Sequence, residues 1–266
     1  MNPIDVSVII PTFHREQQVL EAIASVLCQT GVSLEVLVVD DSAEGSARDA
    51  VATISDVRLR YLQRAEPSHG RPARVRNDGA RLAQGRYLYF LDDDDLLEPE
   101  TLAHMSAALD AAPATAMAFG AIEPFGLDEK TLQHHRQYFA QARQIARRLA
   151  APAQLSACLL FRPAILVNSA CMARRSAFEA SGGFDAEIPV CEDADLWARL
   201  AQAGGFVFID RPVVRYRTGA ASLMHNLAQD DEKLHVSYRR IQQKYRQSQG
   251  LAKFLAMKFW ARAVLR

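Results

Sequence analysis

The chain has 266 residues, 49% of them hydrophobic, with 31 Lys/Arg balancing 31 Asp/Glu; that excludes a disordered chain and suits one large α/β domain or two small ones. No stretch approaches the ~20 apolar residues of a membrane span, and residues 1–5 lack the basic and apolar regions of a secretory signal. The four cysteines, Cys28, Cys158, Cys171 and Cys191, have no metal-ligand or CxxC spacing and read as free thiols of a cytoplasmic protein.

In chain order, residues 6–10 are a short apolar, β-branched run ended by Pro11, which reads as a buried parallel strand. Residues 16–29 carry Val19, Leu20, Ile23, Val26 and Leu27 at helical spacing, closed by Gly31. A second buried strand, 34–39, ends at Asp40-Asp41, and Ser46-Ala47-Arg48-Asp49 has the form of a capping box. A strand over 57–62, a helix over 72–83 ended by Gly85, a strand over 86–91 and a helix over 98–111 follow. This β-α-β-α order predicts a parallel sheet flanked by helices, with ligands beyond the carboxyl ends of the strands. Pro11-Thr12, Asp40-Asp41 and Asp92 to Asp95 should therefore meet in one crevice. The second half is less regular. It predicts a strand at 114–121, a long helix at 127–150, a mobile stretch between Pro152 and Pro163, an extended segment at 166–172, a turn at 181–185, a helix at 194–203 and strands at 205–209 and 213–217.

Asp92-Asp93-Asp94-Asp95 directly follows an apolar strand. In an extended segment Asp92 and Asp94 would share one side, Asp93 and Asp95 the other. Two carboxylates on one side can hold a hard divalent cation and leave positions open for phosphate oxygens and water. Capping of the following helix accounts for one or two aspartates there, not four. The seven histidines show no zinc-like pattern.

The sequence resembles family 2 glycosyltransferases of the GT-A (Rossmann-like) fold. The resemblance rests on Val-Ser-Val-Ile-Ile-Pro-Thr-Phe-His-Arg at 6–15, Leu-Val-Val-Asp-Asp-Ser at 37–42, Arg-Asn-Asp-Gly-Ala at 76–80 and Gly-Arg-Tyr-Leu-Tyr-Phe-Leu-Asp-Asp-Asp-Asp-Leu-Leu at 85–97. Gly-Gly-Phe-Asp at 182–185 and Glu-Asp-Ala-Asp-Leu-Trp-Ala-Arg-Leu at 192–200 complete it. It implies an α/β fold with a mostly parallel central sheet flanked by helices and a C-terminal helical tail. Residues 1–110 would form the donor half, 111–222 the acceptor and catalytic-base half of the same domain, and 223–266 the tail. Pro11, Thr12 and Glu16 would lie at the nucleotide, Asp41 at its base, Arg76 near it and Asp92 near the ribose. Asp94 would bind a divalent metal, Mn2+ or Mg2+, on the diphosphate, with Asp93 incidental and Asp95 supporting the turn. Asp193 would be the catalytic base, with Glu192 beside it.

The implied reaction moves one sugar, with inversion, from a nucleotide-sugar, UDP-sugar being the expected class, to a sugar or lipid-linked hydroxyl acceptor in bacterial surface glycan or glycolipid synthesis. A divalent cation offsets the charge growing on the leaving diphosphate, and a carboxylate takes the acceptor proton. Two rivals predict other features. A nucleotidyltransferase calls for a Gly-rich loop after the first strand, and residues 11–15 have no glycine; a degenerate nucleotide-binding subunit calls for loss of Asp94 or Asp193, and both are present. The sequence departs from the family pattern after Tyr216-Arg217, where no histidine occurs until His225; Arg217 or His225 would take that place at the diphosphate or acceptor. Residues 169–172, 189–191 and 127–150 would frame the acceptor pocket.

The tail carries a separate signal. Nine of the Lys/Arg and no Asp or Glu lie in residues 233–266, leaving 22 basic against 31 acidic residues elsewhere. Two readings stay open: peripheral contact with the inner face of the membrane, and docking on the acidic body or a homodimer interface. No nucleic-acid partner is expected.

Overall fold

The computed structural model of the protein describes residues 3–161, 165–219 and 231–264. β1 (Val6–Thr12), β2 (Leu34–Asp40), β3 (Leu59–Gln63) and β4 (Tyr87–Phe90) lie parallel in the order β3-β2-β1-β4. Helices α1 (Glu16–Leu27), α2 (Arg48–Ala52) and α3 (Pro72–Leu82) make the crossovers. Successive side chains of a strand point to opposite faces. Val6, Val8 and Ile10 of β1 accordingly share a cluster with Val19, Ile23 and Val26 of α1, whereas Ile9 joins the cluster that contains Ala73 and Val75 of α3. Burial on both faces is why residues 6–10 are apolar but for Ser7, whose buried hydroxyl donates to Glu35 Oε1 at 2.6 Å. A Cβ on Gly79 would meet Ile9 Cγ2 at 2.5 Å, so only glycine lets α3 lie this close to β1.

Past β4 the sheet changes character. β5 (Leu96–Leu97), β6 (Met117–Phe125), β7 (Cys171–Arg174) and β8 (Phe206–Arg217) extend it to the order β3-β2-β1-β4-β7-β6-β8-β5. β7 runs antiparallel to both β4 and β6, β6 is parallel to β8, and β5 is antiparallel to β8. The sheet is thus mixed, parallel in its first half, and less parallel than the sequence pattern suggests. α4 (Thr101–Ala111) precedes β6; α5 (Glu129–Ala146) and α6 (Pro152–Phe161) form an excursion that leaves from β6 and returns to its neighbour β7. α7 (Arg175–Ala180) and α8 (Glu192–Gly204) then lead to β8.

Several local expectations are corrected. Pro11 does not end β1; it sits opposite Val39, and the strand runs on to Thr12. The capping box at 46–49 does not form. Asp40 Oδ2, at the end of β2, instead accepts from Ala47 N–H at 2.9 Å before α2 begins. Part of the stretch expected to be mobile is α6, which buries Leu155, Cys158, Leu159 and Leu160. Pro152 starts that helix, where its missing N–H costs nothing. Residues 166–172 are extended only in part, through a 3-10 turn (Asn168–Ala170) into β7. The two strands expected at 205–217 are one, with a register irregularity opposite residues 120–122.

The tail forms α9 (Asp231–Gln249) and α10 (Leu251–Val264). Ile241, Tyr245, Met257 and Ala261 are buried in the cluster that contains α6 and α8, and the rings of Phe161 and Phe254 lie 5.3 Å apart. Lys244 Nζ reaches Asp185 at 2.7 Å and Asp195 at 3.0 Å. The basic tail therefore docks on acidic groups of the body, one of the two readings left open. Among the described residues no helix is long and apolar enough to cross a membrane.

Candidate active site

The ends of β1, β2 and β4 do meet. Asp41 N–H donates to Thr12 O at 2.9 Å, and Thr12 Oγ1 donates to Asp93 Oδ2 at 2.8 Å. The four aspartates form a turn, closed by Asp95 N–H on Asp92 O at 3.1 Å, so the side-to-side alternation of an extended segment does not apply. Each carboxylate has a hydrogen-bond partner, Asp93 and Asp94 sharing one. Asp92 Oδ1 accepts from Arg76 Nη2 at 2.6 Å. Asp93 Oδ1 and Asp94 Oδ2 both accept from Arg15 Nη1, at 2.8 and 2.6 Å. Asp95 Oδ1 accepts from Arg217 N–H at 3.0 Å, while its Oδ2 is buried without a hydrogen bond. Asp93 is therefore not incidental: buried and doubly bonded, it ties the turn to β1 and to the start of α1. Asp95 supports the turn as expected.

Arg76 is the hinge between the two halves of the chain. Its guanidinium is buried, bonds Asp92 through Nη2 and Glu192 through Nη1, and lies 5.6 Å from the Phe184 ring centre. Burial opposes its charge, but Asp92 and Glu192 outweigh burial and raise its pKa. Asp193, next to Glu192 in the first turn of α8, accepts from Ala194 N–H at 2.8 Å. Burial, then the charge of Glu192, pushes its carboxyl up to about 6, Arg76 opposing.

The surrounding motifs hold this arrangement in register. Asn77 Nδ2 donates to Phe184 O at 2.8 Å, and Phe184 N–H returns a bond to Asn77 Oδ1 at 3.0 Å. Arg199 of α8 donates to Ser181 O at 2.9 Å and Gly183 O at 2.7 Å. Gly183, at φ +73, has the left-handed conformation that favours glycine. The segments 76–80, 182–185 and 192–200, distant in sequence, are thus one bonded assembly.

The remaining expected residues fall as follows. Pro11 lies in β1 and Glu16 opens α1. Asp41 is buried, and its two oxygens accept from Arg64 Nη1, Ser68 N–H and Ser68 Oγ, so in this state it holds the 64–71 segment. Arg217 Nε donates to Asp94 O at 2.8 Å, and its guanidinium lies 4.6 Å from the Phe125 ring centre. It clamps the acidic turn. His225 lies outside the described residues. Two contributors were not foreseen in these roles. Arg15 carried no assignment, although it sits inside the 6–15 motif. Ser169, expected only in the frame of the acceptor pocket, instead accepts at Oγ from Asp92 N–H at 3.0 Å.

The donor set suits a hard divalent cation. Burial pushes Asp93 up to about 6 and raises Asp94 and, strongly, Asp95, with neighbouring carboxylates adding to each. Burial is the first cause in each case, and at Asp93 and Asp94 the opposing Arg15 charge outranks that of the neighbouring carboxylates. Among the described residues no three His, Cys, Asp or Glu converge as a ready-made metal cage. One or two aspartates completed by phosphate oxygens and water is the arrangement Mg2+ commonly takes.

The chain matches the family described as Glycosyl transferase family 2 over residues 7–182. It is 34% identical over 160 residues to the succinoglycan biosynthesis protein ExoO of Rhizobium meliloti, covering 59% of this chain and 44% of that protein. It is 38% identical over 91 residues to an Escherichia coli protein, UDP-Glc:alpha-D-GlcNAc-diphosphoundecaprenol beta-1,3-glucosyltransferase WfgD, covering 34% of this chain and 35% of that one. The match thus spans less than half the length of either relative. The fold is the GT-A fold of S. aureus TarS 1-349: the TM-score is 0.68 at 19% identity, over 96% of this chain and 72% of that one. The same TarS fragment in complex with UDP-GlcNAc aligns with a TM-score of 0.62 at 19% identity, over 84% of this chain and 61% of that one.

Proposed function

The chain belongs to glycosyl transferase family 2, and on that premise we propose that it is an enzyme moving one sugar, with inversion, from a UDP-sugar to a hydroxyl acceptor in surface glycan or glycolipid synthesis. The observation that carries this reading is the convergence on Arg76, which bonds the acidic turn on one side and the Glu192-Asp193 pair on the other. A leaving-group site and a base for the incoming hydroxyl are thereby adjacent. Asp94, with Asp92, would hold a divalent cation. Such a cation, when bound, offsets the charge growing on the diphosphate. Asp193 takes the acceptor proton, and residues 111–222 shape the acceptor pocket. The relatives' printed names support the donor and acceptor classes: one uses UDP-Glc with a diphosphoundecaprenol-linked acceptor, another serves succinoglycan synthesis, and TarS binds UDP-GlcNAc.

UDP with Mn2+ is expected to raise the thermal unfolding midpoint of the full chain, since a ligand at 100 times its Kd adds about 2.7 kcal/mol of stability. Asp94→Ala should lose the Mn2+-dependent part of that rise. A flat response to every nucleoside diphosphate and nucleotide-sugar would overturn the reading.

The outer face of α10 adds a membrane contact to the proposal. Leu251, Leu255 and Phe259, spaced four apart and therefore on one face, are 48, 41 and 66% exposed, and exposed Arg262, seven residues after Leu255, lies on the same side. An exposed apolar stripe carrying a cation fits an anionic lipid surface. The protein should float with phosphatidylglycerol vesicles and not with pure phosphatidylcholine, and Leu255→Glu with Phe259→Glu should abolish flotation. Concentration-dependent dimers that the same pair of substitutions disperses would assign the stripe to a second copy instead.

A further inference from the structure

Six carboxyls, on Asp92, Asp93, Asp94, Asp95, Glu192 and Asp193, share the site with three guanidiniums, on Arg15, Arg76 and Arg217. The three cations are not equivalent. Arg76 is buried between two segments that both need it. Arg217 is bound to the acidic turn through its own backbone N–H as well as Nε. Arg15 stands just before α1, its carbonyl accepting from Val19 N–H at 3.0 Å, so its backbone is fixed by the helix. Its side chain is a quarter exposed and reaches both aspartates through a single nitrogen, Nη1. The long, partly exposed side chain can turn about its own torsions while the backbone stays fixed by the helix.

The two carboxylates Arg15 holds would respond differently to its departure. Asp93 keeps Thr12 Oγ1 at 2.8 Å and remains anchored. Asp94 takes its side-chain ion pair from Arg15 and would be released. The residue Arg15 covers is thus the one assigned to the metal, and the residue that stays is the one tying the turn to β1.

We propose that Arg15 is an exchangeable counterion: it pairs with Asp94 in the donor-free protein, cedes that carboxylate to a divalent cation, and turns its guanidinium to the donor's diphosphate. This rests on the metal reading given above. A guanidinium is suited to both partners, since its planar array of donors fits carboxylate and phosphate oxygens alike. The exchange keeps the charge of the turn compensated before and after the donor enters. It also makes Arg15 a competitor of the metal alone and a helper of the metal with nucleotide, two effects of opposite sign.

The opposite signs are the test. Free Mn2+ can be followed by electron paramagnetic resonance as it is titrated with full-length wild type, Arg15→Gln and Arg15→Lys, and UDP binding by calorimetry at saturating Mn2+. Arg15→Gln should bind Mn2+ alone at least about tenfold more tightly, because a competing cation is gone, and UDP about tenfold more weakly, because a charge-assisted contact is gone. Arg15→Lys keeps a charge without the fork, so it should match wild type for Mn2+ alone and still bind UDP less well than wild type. A purely structural role would weaken both ligands together, and that result, or unchanged Mn2+ affinity in Arg15→Gln, overturns the proposal. UDP binding with no Mn2+ binding by any of the three proteins would instead overturn the metal reading beneath it.

Discussion

Asp193→Asn is expected to slow sugar transfer about 10²- to 10⁴-fold, the range lost with a general base, and to leave UDP binding within about twofold of wild type. The two neighbouring acids are distinguished by their partners. Glu192 is committed to Arg76, whereas Asp193 has the Ala194 N–H on Oδ1, so under the proposed reading Oδ2 would take the acceptor hydroxyl. Burial and the Glu192 charge hold its carboxyl near 6, so it is ionised at neutral pH yet basic enough to accept a proton. Wild-type kcat/KM should therefore fall as pH drops below about 6. Stability moves the other way. A carboxyl whose folded pKa lies above its ordinary value of 3.8 makes the folded protein bind the extra proton, so stability is lost as pH rises from about 4 to about 6 and is level beyond. Asn cannot ionise, so above pH 6 the variant should be more stable than wild type by on the order of 1 kcal/mol, a difference that closes below pH 4. Transfer at near wild-type rate would remove Asp193 as the base.

Arg76→Met is expected to cost about 3–5 kcal/mol of folding stability, the usual penalty for removing one member of a buried ion pair. Methionine fills much of the space but leaves Asp92 and Glu192 with a shared negative charge and no cation between them. Adding Glu192→Gln should return part of the loss, since it removes one of the stranded charges; two independent penalties would simply add. Urea unfolding of the two single variants and the double variant measures this directly. Under the proposed reading transfer should fall as well, because Arg76 bonds both Asp92 and Glu192, at the α8 end that carries Asp193.

The parallel half of the sheet was legible because β1, β2 and β4 are buried on both faces and α1 and α3 are amphipathic, so period and punctuation coincide in residues 6–91. The second half was less so. β7 is four residues long and defined by its antiparallel partners, which no local pattern announces. α6 is apolar nearly all round, with six consecutive residues buried, so it has no helical stripe to read. At the site, the sequence located the acidic run, Arg76 and Glu192-Asp193, but its pairing by strand alternation failed because the run turns. The bonds of Arg15 to Asp93 and Asp94, and of Ser169 to Asp92, cross 77 to 79 residues and depend on tertiary closure alone.

The excursion formed by α5 and α6 leaves one strand and returns to the adjacent, antiparallel one, where Cys171 lies opposite Phe119, so the sheet holds the chain together on either side of it. Closing a loop whose ends the sheet already holds together costs little more as the loop lengthens. Under the proposed reading this segment helps to frame the acceptor, while the bonds that set donor and base, from Arg76, Asn77 and Arg199, lie wholly outside it. Acceptor choice and transfer chemistry can then diverge on separate timescales. One architecture can supply many linkages by exchanging a single insert, with the register of the sheet left untouched.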